Sequence, residues 1–238
     1  GATYRTRDTD FITSDNPDFR PPDVLEDADG SLLVVDTGGW YKICCPTSQL
    51  SKPDVLGGIY RIRRTGAPQL ADPRGNQIAW AAQSPAALAA LLADRRPEVV
   101  QRAMHLLGQK GAAAIAPLRQ HALSSPLPAV RRHAVWTLAR LNGEAVGAAL
   151  QPALSDADPS VVQTALSVLS LRRLPVSNDR MLSLLAGPRP ALTRAAAEVL
   201  GRSGNIAAVP ALLAAAERLR GEKFSATGTP EDPGDRAL

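Results

Sequence analysis

Apolar positions along this chain recur with two different periods, and the longer stretch carries the helical one. From residue 97 onward, Pro97-Glu98-Val99, Pro128-Ala129-Val130, Pro159-Ser160-Val161 and Pro190-Ala191-Leu192 open four segments at a constant spacing of 31 residues. Each has an alanine at offset six (Ala103, Ala134, Ala165, Ala196) and a leucine at offset ten (Leu107, Leu138, Leu169, Leu200). Offsets 2, 6, 9 and 10 share one face of a 3.6-residue helix, and proline is tolerated at the first helical position because its missing N–H would be unpaired there anyway. Each segment is therefore predicted to begin with an amphipathic helix. Gly111, Asn142 and Gly204 at offset fourteen mark a turn, after which Ile115/Leu118/Ala122, Val146/Leu150/Leu154 and Ile206/Leu212/Leu213 restart an apolar face. A pair of helices this short cannot bury its own apolar face, so stability must come from stacking. Four copies exceed the usual minimum of about three.

The first sixty-odd residues alternate instead. Asp23-Val24-Leu25-Glu26, the turn Asp27-Ala28-Asp29-Gly30 and Ser31-Leu32-Leu33-Val34-Val35-Asp36 read as strand, tight turn and strand, with Gly30 supplying the positive φ such a turn needs. A third strand is expected at Gly58-Ile59-Tyr60-Arg61-Ile62-Arg63, after a loop from Thr37 to Leu56 rich in Gly, Pro and Ser. So small a sheet buries too little apolar surface to stand alone. The pattern divides the chain into a β segment over 1–66, a linker and capping helix over 67–96, four repeats over 97–220, and a loop with the start of a further, truncated helix over 221–238.

Two resemblances follow from these motifs. The string P-x-V-x-x-x-A-x-x-x-L with its Gly turn, over about 97–220, resembles the HEAT family in its short, bilin-lyase-like form. It implies a mainly α, HEAT-like α-solenoid and says little about function, since such solenoids mostly bind other molecules. Phe19-Arg20-Pro21-Pro22-Asp23-Val24, the Asp-Gly turn, Leu33-Val34-Val35-Asp36, Gly38-Gly39-Trp40 and Gly57-Gly58-Ile59-Tyr60-Arg61-Ile62 resemble the last blade of the planctomycete-type membrane-bound dehydrogenase family. There a quinoprotein-like β-propeller precedes HEAT repeats and usually a cytochrome c domain.

That second resemblance implies a non-catalytic scaffold or protein-interaction segment of an exported, periplasmic protein whose parent oxidises a sugar or an alcohol. The missing propeller blades and a downstream domain would be its partners. Pyrroloquinoline quinone, calcium and haem c would belong to the parent, and none to this segment. Arg20 matches the first of two arginines that hold the quinone in such propellers; Pro22 stands at the second. No C-x-x-C-H string is present to attach a haem. The alternative is a freestanding HEAT-like module of the bilin-lyase-like type that binds a protein or an acidic partner.

Charge adds one further constraint. Residues 97–220 hold fourteen Arg/Lys against seven Asp/Glu, or +7, so the remainder is −3 given the net +4. An acidic partner would suit that excess, but Arg-rich helix faces are ordinarily solvated, and aromatics at 4% leave few platforms for stacking bases, which disfavours nucleic acid. Trp136, Arg132 and Arg194 are the candidate partner-binding residues. Trp136, at offset eight, lies about 145° from the mean apolar direction at ~100° per residue, so either a partner or the adjacent repeats must cover its indole. Coverage by the repeats is the expected arrangement.

No catalytic residues are expected. Cys44 and Cys45 are adjacent, without a second Cys or His pair at zinc spacing, and are either a strained vicinal disulfide or two reduced thiols. His105, His121 and His133 occupy three different repeat offsets, and Asp27-x-Asp29-Gly30 lacks the bidentate Glu of a calcium loop.

Overall fold

The computed structural model describes residues 7–40, 54–143 and 145–223. Cys44 and Cys45, and with them the disulfide and metal expectations, lie outside the described residues, as does the stretch 224–238. The described residues form two compact units, one of 7–78 with 96–98 and the other of 79–95 with 99–223.

In the first unit, strands β1 (Asp23–Glu26), β2 (Leu32–Asp36) and β3 (Gly58–Ile62) form an antiparallel sheet in the order β1-β2-β3. The turn between β1 and β2 closes through Asp27 N–H to Ser31 O and Gly30 N–H to Asp27 O, both 2.8 Å, with Gly30 at φ 76°. Its carboxylates are held by arginines: Arg61 Nη1 lies 2.6 Å from Asp27 Oδ2, Arg74 bonds the other Asp27 oxygen, and Arg63 Nη2 lies 2.9 Å from Asp29 Oδ2. Arg61 holds the Asp27 carboxyl below its ordinary range, and the Ser31 hydroxyl does the same for Asp29. Both carboxylates of the Asp27-x-Asp29-Gly30 motif are thus paired with arginines.

Register fixes which residues share a sheet face. Val24, Val34 and Tyr60 stand opposite one another, as do Glu26, Leu32 and Ile62, and these two rows lie on one face; Leu25, Leu33 and Arg61 join Asp23, Val35 and Ile59 on the other. Both faces are therefore apolar in part. Val24, Leu25, Ile59 and Tyr60 are between 50 and 70% exposed, although antiparallel sheets ordinarily keep one face polar for water.

The second unit is a helical stack. Its elements are α1 (Pro85–Ala90), α2 (Pro97–Gln109, from its third residue on), α3 (Ile115–Pro117), α4 (Pro128–Leu138), α5 (Ala145–Leu150), α6 (Pro159–Arg172), α7 (Asn178–Ala186), α8 (Pro190–Ser203) and α9 (Val209–Lys223). The four prolines of the 31-residue register each open one of the long helices α2, α4, α6 and α8. In order along the chain, α4 packs on α6 and α6 on α8, while the shorter helices form a second layer in which α3 meets α5 and α7 meets α9. The copies that open with α4, α6 and α8 stack in parallel order, as the register requires.

Burial follows the slots. Ala103, Ala134, Ala165 and Ala196 are completely buried, and so, within 1%, are Leu107, Leu138, Leu169 and Leu200. Alanine there allows close approach of neighbouring helices, and leucine fills the space between layers. The second-layer helices are less regular. Helix α3 runs into a wider π turn over Leu118–Ala122, and α5 into a 3-10 turn over Gln151–Ser155. Pro117 and Pro152 sit at these junctions, where a proline removes one i→i−4 bond and crowds the preceding turn. Leu118, Val146, Leu150 and Leu154 are buried as the pattern predicts. At the last pair the expectation fails: Ile206 is 84% and Leu213 61% exposed, while Ala208 and Ala215 make the contacts. Helix α9 packs on α7, and its Val209 and Leu213 stand exposed.

Candidate partner-binding groove

Arginine side chains join successive copies, and their placement decides which cations remain for a ligand. Arg131 occupies the slot held by Val100, Val162 and Thr193 in the other copies, and its guanidinium donates from Nε and Nη2 to the two oxygens of Asp156, both at 2.7 Å, and from Nη1 to Ser125 O at 2.8 Å. The Arg131 hydrogen bonds hold the Asp156 carboxyl below its ordinary value, and Asp156 in turn raises Arg131. Three further arginines donate to carbonyls at helix ends of the preceding copy. Arg172 bonds Ala139 O and Leu141 O beyond α4, Arg180 bonds Leu154 O, and Arg218 bonds Leu185 O and Ala186 O at the end of α7. Those carbonyls lack intrahelical donors and carry the negative end of the helix dipole. A good part of the positive excess is therefore consumed inside the stack.

Between α4 and α6 a groove of about 590 Å³ opens to solvent. Arg132 and Trp136 line it from α4; Asp158, Pro159, Ser160, Gln163, Thr164 and Ser167 line it from α6 and its N-cap. Asp158 caps α6, accepting the Ser160 N–H at 2.8 Å and the Ser160 hydroxyl at 2.5 Å, and these bonds hold its carboxyl below the ordinary value. Arg132 Nη1 donates to Ser160 Oγ at 2.7 Å. Thr164 and Ser167 turn their hydroxyl protons back to the Ser160 and Gln163 carbonyls, so their lone pairs are what they offer outward.

Trp136 is 41% exposed. The expected coverage by adjacent repeats is thus incomplete, because its neighbours one copy on are the small or polar Ser167 and Gln163. The groove brings Arg132 and Trp136 together. Arg194 is exposed on α8 and is not among the residues that line it. Gln163 and Ser167 were missed by sequence reasoning, although they lie 31 residues after Arg132 and Trp136 and so had to face them across the helix pair.

Other candidates are placed elsewhere. Arg20 belongs to the sheet unit: its backbone N–H donates to Asp36 Oδ1 at 2.9 Å, and its guanidinium lies 3.8 Å from Asp18. His105 bonds Gln109, and His133 Nδ1 lies 3.1 Å from Leu92 O; the His121 side chain is outside the described residues. Among the described residues no group of three or more His, Cys, Asp or Glu converges as a metal site, and no helix is long and apolar enough to cross a membrane.

Comparison with known families agrees with this geometry. Residues 84–170 match the HEAT repeats family, and residues 194–218 match the PBS lyase HEAT-like repeat family. The protein is mostly helical, with HEAT repeats over the matched residues and a small antiparallel sheet in its N-terminal part, and such repeats point to a scaffold or protein-interaction role. The first match begins before Pro97 and takes in α1, which the sequence pattern assigned to a linker and cap. No curated protein matches the chain.

Proposed function

We propose that this chain is a non-catalytic scaffold segment of a larger, exported, dehydrogenase-like protein in which a β-propeller precedes the HEAT repeats. The observation that carries the reading is the sheet with apolar residues on both faces, Val24 and Tyr60 on one and Leu25 and Ile59 on the other. A propeller blade is an antiparallel meander sandwiched between two neighbouring blades, so both of its faces must be apolar, unlike a sheet with one side in water. The HEAT repeats follow that sheet in the chain, in the order of the resembling family. Arg20 faces Asp18, and Pro22, at the position of the second quinone-binding arginine, has no donor. Any quinone, calcium or haem belongs to other parts of the parent.

The test is to recover the endogenous protein with an antibody against the repeats and measure its mass, haem content and quinone-dependent dye reduction with sugars and alcohols. The reading expects a polypeptide well above 25.1 kDa with substrate-dependent turnover. A polypeptide near that mass without turnover would favour the second reading, a freestanding HEAT-like binding module, which the match over residues 194–218 supports.

A further inference from the structure

We infer that the groove between α4 and α6 binds an extended acidic peptide, reading an apolar residue with Trp136 and a carboxylate two positions away with Arg132. The proposal stands on the repeat unit alone and does not depend on the propeller. Its first support is a set of unspent polar groups. The Trp136 indole N–H and the Gln163 side-chain amide make no hydrogen bond among the described residues, and Arg132 spends one bond on Ser160, which leaves most of its five donors. An indole face beside a carboxamide that can both donate and accept suits a peptide, whose backbone presents both groups at every residue.

Spacing supplies the second support. Arg132 and Trp136 are four residues apart on one helix, about 6 Å along its axis. Alternate side chains of an extended chain that share a face are separated by about 6.6 Å. A peptide lying along the groove can therefore place one side chain on the indole and the next on the same face at the guanidinium. Gln163 lies one copy from Arg132, across a helix pair whose axes are about 8–10 Å apart, within reach of the backbone between those two side chains.

Charge selects the sign of the ligand. On α4 and the turn after it, and on α6 and α8, Arg132 and Arg194 share one offset and Arg140 and Arg202 another, together with one acid on α8, Glu198, which is already paired with Arg202 at 3.1 Å and accepts from the Ser170 hydroxyl. The one carboxylate of the groove, Asp158, is bonded to the first turn of α6, where Ser160, the helix dipole and the charges of Arg132 and Arg131 offset it.

The experiment is a display selection of random twelve-residue peptides on the full 238-residue chain, followed by fluorescence polarisation of the enriched peptides and of a fluorescein-labelled single-stranded oligonucleotide. Enriched sequences are expected to carry Asp or Glu two residues from Leu, Phe, Tyr or Pro. Binding should weaken at least tenfold in Trp136→Ala and in Gln163→Glu, the second variant keeping the helix intact while opposing a carboxylate. Thermal melts confirm that both variants fold. No enrichment, enrichment of basic peptides, binding indifferent to both substitutions, or oligonucleotide binding that displaces the peptides would each overturn the proposal.

Discussion

Arg131 grips Asp156 through both carboxylate oxygens at 2.7 Å, joining the second copy of the repeat to the loop that opens the third. Both side chains are nearly buried, at 13 and 11% exposure. Asp156→Asn should cost about 1–2 kcal/mol at neutral pH, between the value of a charged hydrogen bond and that of an exposed ion pair. The Asp156 carboxyl titrates below its ordinary 3.8 in the folded chain. Its contribution is therefore complete above that value and disappears as pH falls through the lowered folded value. Denaturant midpoints of wild type and variant should differ at pH 7 and converge under strong acid. A constant difference across that range would mean the pair does not titrate as described.

Arg172 reaches back to carbonyls at the end of α4 and to Asn142 Oδ1 at 3.3 Å. Arg172→Ala should destabilise by about 1–2 kcal/mol, since it strips donors from helix-terminal carbonyls. Arg140→Ala, at an exposed position, should stay within about 0.5 kcal/mol. Equal losses in urea denaturation would show that charge, not the cross-copy bonds, matters.

Arg173 stands at offset fourteen of the third copy with φ 49° and ψ 42°, where Gly204 takes φ 68° in the fourth. A left-handed conformation costs a side-chain-bearing residue about 1–2 kcal/mol, so Arg173→Gly should raise stability by about 1 kcal/mol despite the added freedom of the unfolded chain. An unchanged or lowered denaturation midpoint would contradict a strained helix end.

Ala134 and Ala165 are fully buried where adjacent long helices meet. Replacing either by leucine should cost about 1–3 kcal/mol through overpacking. Thermal denaturation that leaves the midpoint unmoved would place the alanines outside the contact.

The long helices and the sheet were legible because each rests on a local rule repeated in register. Four prolines at one spacing announce four helix starts, and Asp29-Gly30 announces the turn. The groove was only half legible. Trp136 and Arg132 stood out by residue type, whereas Gln163 acquires meaning only when α6 lies beside α4. The exposure of Ile206 and Leu213 was illegible for a related reason, since periodicity marks an apolar face without saying what covers it. Arg131 likewise reads as a surface cation until Asp156, twenty-five residues on, is brought against it.

The central claim, that the sheet is a blade made to be covered on both faces while the repeats sustain themselves, is tested most directly by amide hydrogen exchange. Peptides spanning 23–36 and 58–62 should be compared with those spanning 128–203, in the isolated chain and in the endogenous protein. In the isolated chain the sheet should exchange at least tenfold faster than the buried long helices, because so few of its side chains are enclosed. In the endogenous protein the two should reach similar protection. Sheet amides as protected as the helices in the isolated chain, or no gain in protection in the endogenous protein, would contradict it.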